Sequence, residues 1–142
     1  MMTVSETDID INKFPHLRLH GFGGDKVMLF TAASELRDFI TASEFKPSVY
    51  DKELLEAAET CQGMSGYLFD EENNNGCHFV LISHKYIDVV VHEVNHLCLS
   101  QLNGMGVEVT QETQEVFCYL SDYLTNKICK MLSITEFSEI EE

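Results

Sequence analysis

One short stretch of the chain carries residues whose types and spacing could do chemistry. His92 and His96 are four positions apart, and Glu93 directly follows the first histidine, which gives the pattern His-Glu-x-x-His. On a helix, residues four apart lie one turn above each other on the same face, so both imidazoles can reach one metal ion. Glu93 would leave the helix beside them, where it could accept a proton from water on that ion. The stretch therefore predicts a zinc site with a general base.

The residues around this motif are mostly apolar. A helix surrounded in this way should be buried on most of its faces, and buried histidines and carboxylates need partners. A metal ion would provide such a partner, which weakens the alternative of a chance match on an exposed amphipathic helix. The apolar neighbours are Val89, Val90, Val91, Val94, Leu97, Cys98 and Leu102.

A third ligand is expected from the last helix of the chain. This helix is predicted to start at Thr110, after a short connection, so it can pack antiparallel to the helix of the motif. Glu112 and Glu115 are both available on it. Glu112 lies in the first turn, where an acidic residue already favours the helix dipole. We favour Glu115, because a carboxylate in the interior of an otherwise apolar helix has more need of a partner.

The segment from His92 to Leu120 resembles the small gluzincin-type metallopeptidase proteins found in bacteriophage genomes. Those proteins have the His-Glu-x-x-His motif, a turn with glycines (here 104–106), and a helix with a glutamate before apolar and aromatic residues. The resemblance extends over about residues 78–125. It implies that His92, His96 and Glu115 bind zinc and that Glu93 is the general base.

One position departs from the family pattern. Gluzincins often have an acidic residue four positions after the glutamate ligand, where it orients a zinc-bound histidine, but this chain has Tyr119 there. Asp88, Asp122 or a backbone carbonyl would have to orient the histidine instead. Tyr119 is a candidate catalytic residue that would donate a hydrogen bond to the oxyanion, or it packs between two helices. His84 is either a catalytic accessory or a surface histidine.

The pattern of elements predicts an α+β fold with a small antiparallel or mixed sheet. We expect this sheet to pack against the motif helix and the following antiparallel helix, as in a minimal zincin-like fold. Residues 64–84 read as a hairpin whose turn takes its positive φ from Asn75-Gly76. Many such peptidases bind an extended substrate along a sheet edge, and residues 78–82 are the expected edge. A single domain at 13–133 would lie between a flexible acidic N-terminus, 1–12, and a loose acidic tail, 134–142.

Composition limits the classes of partner. The net charge is −15, from 24 acidic and 9 basic residues, so nucleic acid and anionic membranes should repel the chain. No window approaches the ~20 apolar residues of a membrane span, and the first residues lack the pattern of a secretory signal. These features predict a cytoplasmic protein, in the host cell if the chain is viral.

The five cysteines are odd in number and have no CxxC spacing, which indicates reduced thiols. Cys98 and Cys118 could be zinc ligands, although packing is the expected role.

Together these features predict a zinc-dependent metallopeptidase-like protein that hydrolyses a peptide or protein substrate. Glu93 would take a proton from the attacking water and return it to the leaving amine. The alternative is an acidic viral protein that binds a protein of the host and has only a structural or vestigial zinc site. The two functions differ in what they require, since hydrolysis needs Glu93 and binding would tolerate glutamine there.

Overall fold

The computed structural model of the chain describes residues 14–19, 25–48 and 53–139. It has an α+β fold, as predicted, and its elements follow one another in chain order. The predicted flexible N-terminus, 1–12, lies outside the described residues. No helix of the described part is both long and apolar enough to cross a membrane. The elements are β1 (His16–Arg18), β2 (Lys26–Phe30), α1 (Ala33–Ala42), α2 (Leu54–Ala58), β3 (Gly63–Asp70), β4 (Asn75–Ile82), α3 (Ile87–Gly104) and α4 (Gln114–Leu132).

The strands form one mixed, four-stranded sheet with the order β1-β2-β4-β3. β2 and β4 are parallel, whereas β1 pairs with β2 and β3 pairs with β4 in antiparallel fashion. Residues 78–82 were expected to form a sheet edge, and this prediction is wrong because β4 is paired on both sides. Its apolar run is buried on both faces, as is typical of a central strand. The edge strands are β1 and β3, and β3 is the one that pairs with β4.

The β3–β4 hairpin forms as predicted, but a different residue supplies the positive φ of its turn. Asn74 has a φ of 50°, whereas Asn75 and Gly76 already belong to β4. Asparagine is among the non-glycine residues that tolerate this region best. Gly76 has another purpose, because a Cβ there would collide with the ring and hydroxyl of Tyr67. The glycine therefore lets an aromatic side chain lie across the strand.

Helices cover both faces of the sheet. Alternate residues of β4 point to opposite faces, so Val80 and Ile82 belong to the core on the side of α3, while Phe79 and Leu81 belong to the core on the side of α1 and α2. The buried stripe of α4 consists of Leu120, Leu124 and Ile128. These residues hold α4 on the outer side of α3 rather than on the sheet itself.

Contacts at one end and near the middle show that α3 and α4 run antiparallel, as expected. The backbone N–H of Ile87, at the start of α3, donates to the carbonyl of Glu136, which follows the end of α4 (2.8 Å). Near the middle of both helices, the Ser121 hydroxyl donates to Asn95 Oδ1 (3.0 Å). Ile134 is buried in the same core, so the described residues that follow α4 contact the domain, whereas residues 140–142 of the predicted loose tail lie outside the described residues.

The start of α4 differs from the sequence prediction. α3 begins after Tyr86, and α4 begins after Thr113. Thr110 lies in a turn before α4, where its backbone N–H donates to Thr113 Oγ1 (2.8 Å). In the turn that follows α3, Gly106 has a φ of 78°, a conformation that favours glycine.

Candidate metal centre

His92 and His96 lie one turn apart on α3, and their rings converge. The Nε2 atoms are 3.3 Å apart, and the ring centroids are 4.8 Å apart. Two nitrogen ligands at about 2.0–2.1 Å from a tetrahedral zinc ion would themselves be about 3.3 Å apart. The side chains therefore have the spacing that one shared ion requires.

Both histidines are exposed to solvent, whereas the sequence predicted a helix buried on most faces. The buried arc of α3 consists of Val90, Val94, Leu97, Cys98 and Leu102, and it faces the sheet and α4. The histidines lie at the open side of the helix, beside the edge strand. A ligand from solvent can therefore reach them without displacing the core.

Glu93 differs from the histidines because its side chain is mostly enclosed, with only 6% exposed. The hydrogen bonds and ion pairs of the described ranges do not include the Glu93 carboxylate, and since no fully buried side-chain oxygen there lacks a partner, its oxygens are open to the cavity that the residue lines. A carboxylate in such a position is costly unless water or a ligand reaches it. The position directly before it, His92, lines the same cavity. This arrangement keeps an acceptor for protons beside the paired imidazoles.

The cavity has a volume of about 470 Å³ and lies between α3 and the edge strand β3. Residues 63–66 of β3 form one wall, and Glu93, His96, Leu97 and Ser100 of α3 form the other. A second cavity of about 310 Å³ continues toward the start of α3, where Asp88 joins its lining. Both cavities include His92 and Glu93, so the motif lies where the two meet.

The outer edge of β3 is open beside this cavity. Phe69 exchanges both backbone hydrogen bonds with Lys46 on the side away from β4 (3.0 and 2.9 Å). In an antiparallel strand this direction alternates, so the backbone groups of Ser65 and Tyr67 also point outward. Neither residue has a backbone partner on that side within the described part of the chain. The free edge reaches the cavity at Ser65.

His78 is a cavity residue that the sequence analysis did not single out. Its side chain is buried on β4, and Nε2 lies 2.6 Å from Gln101 Oε1. An amide oxygen only accepts, so this ring nitrogen carries the proton. Burial lowers the pKa of His78 below its ordinary value, against the opposing effects of Gln101 and of the nearby Asp25 charge. Alternate residues of β4 face opposite sides of the sheet, which places residue 78 on the side of α3. This alternation could have identified His78 as a cavity residue from the sequence.

The structure does not bring Glu115 to the histidine pair. Glu115 is exposed and lies six residues before Ser121, so it is about 9 Å along the helix axis from the Asn95 contact. Glu112 is farther still and also exposed. The register of α4 against α3 is therefore not the one expected. Tyr119 is 70% exposed, outside the cavity, and does not pack between the helices.

The other side chains considered for the site have separate environments. Cys98 is buried, and burial raises the pKa of its thiol to about 12, which favours packing over metal binding. Cys118, Asp122 and His84 are exposed and do not line the cavity. Asp88 accepts hydrogen bonds from Ser138, which hold the pKa of its carboxyl below the usual range. Asp88 is the only one of the proposed orienting residues that lies in the lining of the second cavity.

Within the described ranges, no three histidine, cysteine, aspartate or glutamate side chains come close enough together to hold a metal ion. The described residues thus bring together two convergent imidazoles and an adjacent carboxylate. Comparison with protein-family models, with curated proteins and with solved structures gave no match to this chain.

Proposed function

We propose that this protein is a zinc-dependent metallopeptidase with a minimal zincin-like fold. The observation that carries the proposal is the 3.3 Å separation of His92 Nε2 and His96 Nε2, with the Glu93 carboxylate in the adjoining cavity wall. A chance His-Glu-x-x-His pattern would not require converging imidazoles or an enclosed glutamate. The proposal rests on this geometry and on the resemblance of the motif segment to gluzincins.

The donor set fits zinc. Neutral imidazole nitrogen is an ordinary zinc ligand, and catalytic zinc sites keep a position open for water or substrate. The exposed position of both histidines leaves room for such an open position. When bound, the ion would polarise a substrate carbonyl and lower the pKa of water toward about 7.

The residues of the chain have distinct roles in this proposal. His92 and His96 would hold the ion on the rigid face of α3. Glu93 would accept a proton from the attacking water and return it to the leaving amine, because it lies beside the pair without another partner. The surrounding cavity walls would limit the access of bulk water and so strengthen the electrostatic effect of the carboxylate.

An extended peptide is the substrate form that the open strand edge favours. The outward N–H and C=O groups of Ser65 and Tyr67 can pair with a substrate backbone, and the cavity begins at the same residues. The strand order supports this proposal, because the edge strand β3, and not the central strand β4, borders the histidines. The substrate would then lie as an added strand between β3 and α3.

The decisive experiment compares the parent protein with Glu93→Gln. Both would be loaded with zinc and incubated with a mixture of synthetic peptides, and cleavage would be followed by mass spectrometry. Removal of a general base costs about 10²–10⁴-fold in rate, so cleavage by Glu93→Gln should fall at least to that extent while its zinc content stays unchanged. Glu71→Gln, an exposed substitution in the hairpin turn, is the matched control.

Two results would contradict the proposal. Equal cleavage by parent and Glu93→Gln would remove the assigned base. The alternative function, binding to a host protein, would be favoured by two results together. The parent would cleave no peptide, and the Glu93→Gln variant would keep the full biological activity of the parent in the cell of origin.

A further inference from the structure

The larger cavity extends past the histidine pair to a buried side chain that the proposed mechanism does not use. His78 is only 4% exposed, yet it lines this cavity together with His92, Glu93 and His96. In the described part of the chain it is not close enough to His92 and His96 to complete a metal site with them. The inference that follows rests on the proposed peptidase function and concerns what His78 does in the cavity.

Gln101 fixes the hydrogen-bonding character of the His78 ring. His78 Nε2 donates to Gln101 Oε1 (2.6 Å), and Asp25 Oδ2 lies 4.0 Å from the same nitrogen, so the neutral ring keeps its proton on Nε2 and a lone pair on Nδ1. Burial favours this neutral form because it lowers the pKa of His78. The hydrogen bonds of the described ranges do not include Nδ1, and no fully buried side-chain nitrogen there lacks a partner. Nδ1 is therefore open to the cavity, where it can only accept a hydrogen bond.

Small residues of β3 leave a path from the open strand edge to His78. Tyr67 is paired with His78, so the alternation of β3 places Gly63 and Ser65 on the same face of the sheet. Both residues line the cavity, and neither has a side chain long enough to fill it. The Tyr67 ring extends over Gly76 and does not line the cavity. A side chain of a peptide bound along the edge of β3 can therefore extend across this strand toward His78.

The polar groups of the cavity select the chemistry of such a side chain. His78 Nδ1 requires a donor, and the hydroxyl of Ser100, which lines the same cavity, can donate to an acceptor. A carboxamide carries both kinds of group. A carboxylate has no hydrogen to donate and would be repelled by Glu93, whereas a cation would share the cavity with zinc and compete for the Glu93 carboxylate. Two strand spacings, about 9.6 Å, separate an added strand from β4, which favours glutamine over the shorter asparagine.

We propose that His78 is a specificity-determining residue that binds a glutamine side chain of the peptide substrate. The carboxamide nitrogen donates to His78 Nδ1, and the carboxamide oxygen accepts from the Ser100 hydroxyl. Gln101 acts through His78, because its side-chain carbonyl holds the ring in the accepting tautomer. The cavity then hydrolyses the peptide beside His92 and recognises it at His78.

The first test compares peptides that differ at one position. Cleavage of a library of synthetic peptides by the zinc-loaded parent protein, followed by mass spectrometry, locates the cleaved bonds. Glutamine, methionine and glutamate are then compared at each position around such a bond. Methionine resembles glutamine in shape but has no carboxamide. Each neutral hydrogen bond contributes about fivefold, so at one position the parent should prefer glutamine over methionine by at least about fivefold in kcat/KM, and glutamate should be the poorest of the three.

The variant for this test is His78→Phe, which removes both ring nitrogens and keeps an aromatic ring beside Tyr67. Its ratio of kcat/KM for glutamine over methionine should fall to about one. His84→Phe, at an exposed histidine outside the cavity, should keep the ratio of the parent. A general loss of activity cancels in this ratio, because both peptides meet the same protein. Absence of a glutamine preference in the parent, or an equal preference in His78→Phe, would overturn the inference.

Nitrogen NMR of the imidazole rings in the metal-free parent gives a readout that does not depend on hydrolysis. N-acetylglutamine N-methylamide at millimolar concentration should shift the Nδ1 resonance of His78, and the methionine analogue should not. Cleavage without a glutamine preference would overturn the inference alone. A selective shift without any cleavage would support the glutamine site and contradict the proposed hydrolysis. Absence of both would contradict the two proposals together.

Discussion

The Cα atom of Gly63 lies so close to Glu93 that a Cβ on this residue would be 3.1 Å from Glu93 Cγ. The same Cβ would be only 2.7 Å from Val89 Cγ1 and 3.2 Å from the Leu81 carbonyl. A residue without a side chain at the start of β3 therefore allows the edge strand to approach α3. This approach defines the distance across the cavity at the position of Glu93, the proposed general base.

Gly63→Ala should consequently damage both stability and the site. Three close neighbours, one of them backbone, cannot all shift freely, and overpacking of this kind costs about 1–3 kcal/mol. Gly104→Ala is the control, because a Cβ there meets nothing within 4 Å. Urea unfolding measures the free energy of unfolding of both variants. Equal stability of Gly63→Ala and the parent would show that the strand is not held against α3 as described.

Zinc should stabilise the folded protein through the histidine pair. A ligand present at 100 times its dissociation constant adds about 2.7 kcal/mol to the free energy of unfolding, or a rise of roughly 8 °C in Tm for a chain of this size. Thermal unfolding with added zinc and with chelator measures this rise. His92→Ala combined with His96→Ala should abolish it, while His84→Ala, at an exposed histidine of the loop before α3, should retain it. A zinc-dependent rise in the double variant would contradict the assignment.

His78 should make the free energy of unfolding depend on pH. Burial lowers its pKa in the folded protein below the ordinary value of 6.5, so the unfolded chain binds the proton more readily. This contribution to stability is complete above about pH 6.5 and decreases as the pH falls toward the folded-state pKa. Urea unfolding of metal-free protein at about pH 7.5 and about pH 5.5 measures the loss.

The matched variants for this measurement are His78→Gln and His84→Gln. His78→Gln should show a smaller decrease between the two pH values than the parent, because it lacks the buried titrating group. His84→Gln should decrease as the parent does, since His84 is exposed. Identical pH dependence in His78→Gln and the parent would refute the role of His78.

The open edge of β3 predicts that substrate binding can be weakened with little change in the fold or in the zinc affinity. Ser65→Pro removes an N–H that points away from β4, and proline is tolerated at such edge positions, so the fold and the zinc affinity should change little. One lost backbone hydrogen bond to substrate should lower kcat/KM by about tenfold. Ser65→Ala keeps the N–H and serves as the control. Equal kcat/KM for the two variants would exclude substrate pairing at this residue.

The sequence predicted the local elements well because their signals are local. Apolar spacing indicated α3 and α4, and two apolar segments on either side of an Asn-Gly step indicated the β3–β4 hairpin. The pairing of His92 and His96 also followed directly from helical periodicity. The burial of β4 on both faces was visible as a continuous apolar run, yet an edge strand was expected there because the peptidases that the motif segment resembles bind substrate along a sheet edge.

The relation between α3 and α4 could not be predicted in the same way. Periodicity shows which residues share a face of each helix, but it does not show how far one helix is displaced along the other. That displacement depends on the connection from Met105 to Thr113 and on pairs such as Asn95 and Ser121. An error of one or two turns moved Glu115 away from the histidines. The contact of Ser138 with Asp88, 50 residues apart, has no sequence signature at all.

All residues that line the larger cavity lie between Gly63 and Ser100, in the uninterrupted succession of β3, β4 and α3. Contacts between neighbours in sequence close short loops, which have a low entropic cost and form quickly during folding. The hairpin and the helix that follows it can therefore assemble the cavity before β2 inserts beside β4 and before α4 docks. The histidine pair would then exist early in folding, and a metal ion bound at that stage would favour the native arrangement of this unit over competing collapsed states.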